Sequence, residues 1–319
     1  MKKILLIVFA LFMSLGIFVS CNITSSEPKD VFSSYLDNLE EYSLKGEMTL
    51  YKDSNEVKSN VSVDYLKPSY YKVTFSRNNG NEQVLLKNQD GVYVLTPSLN
   101  KEFKFNSEWP DNELHVYLVN LLWNKVKESN NTTYSEKNNK ITVTSIISTP
   151  KYTKIEIVYS SKDKKLESVS LYNDTKKLVM LDVSEFNTSP NLTTNMFNPS
   201  LIMNEKTITN DTVNEAKFSI SVASVFDDTK LTSSKLTDAE TILCYSGVKN
   251  YAIIAKKALM TDSLSFTSFS DFDILECGLL LYSKNVSVFY LDDLEVSIYS
   301  NSLSIDDLDV IATNIVINE

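Results

Sequence analysis

The sequence predicts an α+β protein: a strongly curved antiparallel sheet of about eleven strands covered by helices, followed by a small α+β C-terminal domain. Three observations predict it. Between residues 44 and 186 apolar residues recur at every second position in run after run, and tight polar turns separate the runs, so neighbouring strands pair antiparallel. Two segments replace that period with apolar residues at helical spacing. A stretch of Ser, Pro, Asn and Thr from Asn187 to Pro199 then ends the long meander, and a second set of shorter strands with one helix follows.

The chain begins with Lys2 and Lys3, an apolar run from Ile4 to Val19 interrupted only by Ser14 and Gly16, and the small residue Ser20 before Cys21. This is a secretory signal ending at a cysteine. It resembles the start of bacterial lipoprotein precursors, which implies a diacylglyceryl group on the Cys21 thiol and cleavage in front of it; Phe18 stands where such signals more often carry Leu. The competing reading, an uncleaved anchor, suffers from a run a little short of the ~20 residues that span a bilayer. Two acyl chains at about 0.8 kcal/mol per buried methylene hold a protein on its membrane. The expected location is the outer face of the cytoplasmic membrane. Residues 1–20 then form the signal peptide, 21–29 a lipidated polar tether, 30–190 the large sheet domain and 200–319 the small C-terminal domain.

The first ordered element is expected to be a helix, with Val31, Phe32, Tyr35, Leu36, Leu39 and Tyr42 on one face and Asp30 as its cap. Period two follows. Leu44, Met48 and Leu50 alternate with polar residues, as do Val57, Val61, Val63 and Tyr65, then Tyr71, Val73 and Phe75. The turn at Asn78 to Asn81 leads to Val84 and Leu86, and Asp90-Gly91 is a hairpin signal before Val92, Val94, Phe103 and Phe105. A second helix is expected after Trp109-Pro110, capped by Asp111, with Leu114, Leu118, Leu121, Leu122 and Val126 as its apolar stripe. Strands resume at 132–135, 141–147, 152–159, 166–172 and 178–186. Beyond Pro199, six short strands are expected at 218–222, 242–245, 251–255, 279–282, 286–290 and 294–299. The chain closes with a helix capped by Ser304, with Asp306 and Asp307 in the first turn and Leu308, Ile311, Ala312 and Ile315 on one face.

Net charge is −10, and −12 without Lys2 and Lys3, with no basic cluster, so nucleic acid is excluded as a partner. Arg77 is the only arginine among 31 basic residues, leaving one candidate for bidentate recognition of an anion beside its plainer reading as a strand-end residue. Cys244 and Cys277 are the only cysteines besides Cys21. A disulfide between them would close a loop of about 33 residues and add about 3 to 4 kcal/mol; the other reading is a pair of buried thiols.

The sequence lacks the residues of common catalysis. His115 is the only histidine, no Gly-x-Ser-x-Gly elbow is present, and six glycines form no phosphate loop. The expectation is therefore a protein that is not an enzyme, with no metal and no cofactor; a hydrolase would have to rest on His115, which reads as a packing or surface residue. The acidic pairs Glu40-Glu41, Asp227-Asp228, Asp292-Asp293 and Asp306-Asp307 read as solvated turn or helix-end positions.

Residues 91–110, GVYVLTPSLNKEFKFNSEWP, resemble the outer-membrane lipoprotein-sorting (LolA-like) family, and more narrowly its sporulation and germination lipoproteins from low-GC Gram-positive bacteria. There too a lipid signal and helix precede a meander, and a Trp-Pro pair, here Trp109 and Pro110, introduces a helix. The resemblance covers about residues 30–200. Tyr245-Ser246-Gly247 with the strand Tyr251 to Ala255, and Ser302-Leu303-Ser304 leading to Leu308 and Ile311-Ala312, resemble the small domain that often follows. The family implies a half-barrel whose concave face is apolar and covered by helices. Phe32, Tyr35, Leu36, Leu39, Val94, Phe103, Phe105 and Leu118 are then the candidate lining of a hydrophobic cavity and its helical lid. In carrier members that cavity holds acyl chains in transit, but a two-chain anchor at Cys21 conflicts with leaving the membrane, and a carrier's ligand-gating arginine does not map onto Arg77.

The leading functional expectation is thus an anchored envelope lipoprotein that binds an acyl-chain ligand or a partner protein, with a role in sporulation or germination. The alternatives are a regulator docking on an envelope enzyme or anti-sigma factor, and a lipoprotein carrier. With 17 tyrosines the chain has ample material for an aromatic interface.

Overall fold

The computed structural model describes residues 29, 33, 35–52, 55–76, 82–105, 114–163, 165–204, 218–222, 226–258, 269–275 and 278–318. Cys21, Phe32, Arg77, Trp109, Pro110, Asp111 and Cys277 lie outside them. Eleven strands form one antiparallel sheet. In chain order they are β1 (Glu41–Lys52), β2 (Asn55–Leu66), β3 (Tyr70–Ser76), β4 (Gln83–Asn88), β5 (Gly91–Thr96) and β6 (Lys101–Phe105), then, after helix α1 (Val119–Glu128), β7 (Thr132–Lys137), β8 (Lys140–Ile146), β9 (Lys154–Ser160), β10 (Lys165–Asn173) and β11 (Lys176–Asn187). Their spatial order is β6-β5-β4-β3-β2-β1-β11-β10-β9-β8-β7. Two meanders are therefore joined where the first strand pairs with the last, with a register shift at Lys45/Gly46.

Alternation decides which residues face inward, and the inward set requires the sheet to curl. Ten strand spacings of about 4.8 Å would make a flat sheet about 48 Å wide, whereas the ten residues of α1 extend about 15 Å. Yet Val63 of β2, Val73 of β3, Val94 of β5, Val143 of β8, Ile157 of β9 and Leu181 of β11 all join Leu122, Trp123 and Val126 of α1 in one core. The helix links the two edge strands, β6 and β7, and lies across the concave face of this half-barrel.

Both early helices differ from the sequence-based expectation. Residues 35 and 36 are helical, but Tyr42 belongs to β1, because the chain turns at Asp37 to Glu40 and the phenol ring enters the core as a strand residue. Helix α1 starts at Val119, later than expected: Leu114 and Leu118 precede it, Leu121 is exposed, and Val119, Leu122, Trp123 and Val126 form the buried stripe. The buried stripe is shifted relative to the expected leucines because the sheet takes Val119 and Trp123 beside Leu122 and Val126 and leaves Leu121 out.

After β11 the chain crosses the outer face of the half-barrel. A 3-10 turn, Thr194–Phe197, and the short helix α2 (Pro199–Asn204) place Phe197 and Ile202 against Tyr70, Val84, Leu86, Tyr93 and Leu95. This explains the continuous apolar runs of β4 and β5, which are buried on both faces.

The C-terminal part contains β12 (Ser219–Val222), β13 (Thr229–Leu236), β14 (Glu240–Gly247), β15 (Tyr251–Lys257), β16 (Asp271–Leu275), β17 (Gly278–Tyr282), β18 (Val286–Leu291), β19 (Leu294–Tyr299), α3 (Ile305–Thr313) and β20 (Ile315–Asn318). Seven strands form a second sheet ordered β13-β14-β15-β19-β18-β17-β16, and β12 pairs with β20. Ser304 caps α3 in a full capping box with Asp307, and Leu308, Ile311 and Ala312 pack against Ile253, Phe289 and Val296 on one face of this sheet. Ile315, expected on the helix, opens β20 instead. The opposite face sends Phe272, Leu279, Leu281 and Tyr290 into the core of the half-barrel.

Candidate functional site

The expected lining residues within the described chain all meet in the half-barrel core. Leu36, Val94, Phe103, Phe105 and Leu118 are each at most 4% exposed, and Tyr35 and Leu39 pack against the same cluster. They pack on one another in this cluster, and Phe103 also borders a cavity of about 270 Å³. Tyrosines fill much of the concave face: Tyr35 lies 4.9 Å from Tyr159 and 5.8 Å from Phe186, Tyr42 lies 5.1 Å from Tyr65, and Tyr65 lies 4.9 Å from Tyr71, measured between ring centroids.

Buried phenols need hydrogen-bond partners, and α1 supplies one. The Tyr42 hydroxyl donates to Asn120 Oδ1 at 3.0 Å, and Asn120 Nδ2 donates to the Tyr71 oxygen at 2.8 Å, so one amide ties the helix to β1 and β3. Burial holds Tyr42 well above the usual tyrosine pKa, with Tyr71 and Tyr65 adding to the effect, and burial pushes Tyr71 up to about 12 against the opposing Asn120 hydrogen bond. Both stay neutral at any physiological pH. At the far end of α1, Trp123 Nε1 donates to Asp37 Oδ1 at 2.8 Å and Lys127 Nζ lies 3.2 Å from the same oxygen, which fastens the N-terminal segment over the helix. Sequence reading missed Asn120 and Trp123. The available signal was a lone amide inside the apolar stretch Leu118-Val119-Asn120-Leu121-Leu122.

The second sheet docks through specific contacts. Gln83 Oε1 accepts the Leu279 backbone N–H at 2.8 Å in a buried setting, and Gly278 beside it has φ +138 with no room for a Cβ, which would stand 2.5 Å from that oxygen. Phe103 meets Phe269 edge-on at 5.8 Å, and Phe105 meets Phe272 at 5.3 Å. His115 is buried at this junction with Nδ1 2.6 Å from the Tyr117 hydroxyl, and burial followed by the Asp273 carboxylate raises the Tyr117 pKa well above its usual value. His115 is thus a packing residue. Among the described residues no group of three or more His, Cys, Asp or Glu is placed to hold a metal.

Cys244 of β14 is a free thiol. Cys277, the other half of the candidate pair, lies outside the described residues. Among the described residues no helix is long and apolar enough to cross a membrane.

A family model described as "Sporulation protein YdcC-like" matches residues 1–195. The chain is similar to Sporulation protein YdcC of Bacillus subtilis (strain 168), with 35% identity over 150 residues, covering 46% of this chain and 44% of the relative. The match thus spans less than half the length of that curated relative. Among solved structures, the Pseudomonas aeruginosa MucA/MucB complex aligns with 92% of this chain and 100% of the other at 8% identity and a TM-score of 0.34. A LolA superfamily protein from Nitrosomonas europaea aligns with 53% of this chain and 98% of its own at 10% identity and a TM-score of 0.30. Scores of this size carry no functional argument. The family match, which includes every strand of the half-barrel, does: this chain belongs to the YdcC-like family of sporulation proteins.

Proposed function

We propose that this chain is an exported, lipid-anchored, non-enzymatic docking protein of the cell envelope, acting in sporulation, whose half-barrel is a rigid scaffold for a protein partner. One observation carries this reading. On the concave face, where an acyl chain would lie in a carrier, the protein's own aromatic side chains pack together and Asn120 hydrogen-bonds both Tyr42 and Tyr71. Admitting an acyl chain there would require displacing α1 and breaking the Asn120 hydrogen bonds to Tyr42 and Tyr71, at about 0.5–1.5 kcal/mol each. Anchoring at Cys21 suits a fixed adaptor better than a shuttle.

Chemical crosslinking in intact cells, sampled from growth through sporulation, tests the reading. A single stoichiometric adduct with one envelope protein is expected, and mass spectrometry of the mature chain should find a diacylglyceryl group on Cys21 as the new N-terminus. No adduct at any stage, or a mature chain without lipid on Cys21, would sink the proposal.

A further inference from the structure

A cleft of about 430 Å³, within the size range of small-ligand sites, opens on the α3 face of the second sheet. Strand register builds its floor. Tyr282 of β17 stands opposite Ser287 of β18, and Ser287 opposite Ile298 of β19, so three side chains form one row about 10 Å long across three strands. The chain entering α3 makes the facing wall through Leu303, Ile305 and Leu308, which pack with the same core as Ile298.

The polar groups of the cleft are mostly hydroxyls, and they fall into two sets. Ser287 is 5% exposed and lines the cleft, yet its hydroxyl has no hydrogen-bond partner among the described residues, whereas buried hydroxyls are normally paired. It can donate into the cleft, as can the exposed Lys284 at the rim. Ser270 Oγ and Ser304 Oγ have already given up their protons, the first to the Tyr282 carbonyl at 3.2 Å and the second to Asp307 Oδ2 at 2.8 Å, so they offer only lone pairs.

A ligand that satisfies both sets must donate and accept within a few ångströms, as hydroxyl groups do. A carboxylate or phosphate would face the lone pairs of Ser270 and Ser304, and the N-terminus of α3 is already taken by Asp307, which accepts the Ser304 N–H at 2.8 Å. An ammonium would leave Ser287 unpaired. An added peptide strand finds no edge, because β17, β18 and β19 are each paired on both sides. From this arrangement we infer that the cleft beside α3 binds a neutral saccharide, its ring lying against Tyr282 and Leu303 and its hydroxyls exchanging hydrogen bonds with Ser270, Ser287 and Ser304. The C–H faces of a sugar ring suit the apolar walls, and its edges suit the hydroxyls. The site lies on the face of the second sheet turned away from the half-barrel and does not depend on the docking role.

The test is saturation-transfer NMR on the full chain in nanodiscs, with cellotriose, maltotriose and chitotriose as probes and inorganic phosphate and trialanine as competitors. Transfer to the ring protons of at least one trisaccharide is expected, undisturbed by an excess of either competitor. Ser287→Ala removes a hydroxyl that has no partner in the protein, so Tm should not fall while saccharide affinity drops about three- to tenfold. Ser297→Ala, on the opposite face of the same sheet, should leave the affinity unchanged. No transfer to any of the trisaccharides, displacement by phosphate or trialanine, or a Ser287→Ala protein that binds as the parent does would each overturn the assignment.

Discussion

Replacing Asn120 by Ala tests the logic of the half-barrel most directly. The change removes the two hydrogen bonds that tie α1 to β1 and β3 and leaves the hydroxyls of Tyr42, fully buried, and Tyr71, 4% exposed, without their amide partner. A net hydrogen bond contributes about 0.5–1.5 kcal/mol and an unsatisfied buried polar group costs about 1–3 kcal/mol. The backbone N–H groups of Val119 and Asn120 also contact the Tyr42 oxygen, so its loss falls at the low end. The sum is roughly 2–4 kcal/mol, which for a domain of this size lowers Tm by roughly 5–12 °C. Urea unfolding of Asn120→Ala, Tyr71→Phe and the double variant should show an unchanged m-value and a coupling of about 1 kcal/mol or more. A cost for Asn120→Ala under about 0.5 kcal/mol, or strict additivity with Tyr71→Phe, would refute the reasoning, because the amide would then not be what holds the helix on the sheet.

Two further outcomes follow from the same geometry. Gly278→Ala places a Cβ 2.5 Å from Gln83 Oε1 at a backbone φ of +138, so it should cost about 1–3 kcal/mol and open the junction to limited proteolysis; parental stability and cleavage rate would mean that the junction contact is loose. Alkaline stability should fall in a defined window. Tyr71 has its pKa pushed up to about 12 in the folded protein by burial, while the unfolded side chain titrates near 10. Its contribution is therefore fully present below pH ~10 and is lost as pH rises through about 12, amounting to roughly 2–3 kcal/mol. Denaturant midpoints measured between pH 9 and 12 should show that decline, flattened in Tyr71→Phe, and a flat profile in the parent would contradict it.

The strands of the first sheet were legible because each buries one face, and burial of one face writes itself into the sequence as alternation. Leu44, Val63, Val73, Val143 and Leu181 point inward as that period requires. Strand β13 left no such trace: after Thr229 all its residues are exposed, so no side of it is apolar. The helix over the concave face was legible as a helix but not in its phase, since Leu121 and Leu122 are equally apolar and only the sheet decides which one is buried. Of the candidate site, the apolar members were legible and the polar members were not. Asn120 and Gln83 are ordinary surface residue types whose importance comes from partners 49 to 196 positions away.

The sequence by itself carried the apolar run before Cys21, the eleven-strand meander and the capped C-terminal helix, because each is a local pattern of charge, period or residue type. Tertiary structure alone decided that β1 closes on β11, that the segment after Asn187 packs on the outer face, and that the second sheet joins the core of the first. These are outcomes of long-range pairing. Alternation says which face of a strand is buried, but only the assembled chain says what it is buried against.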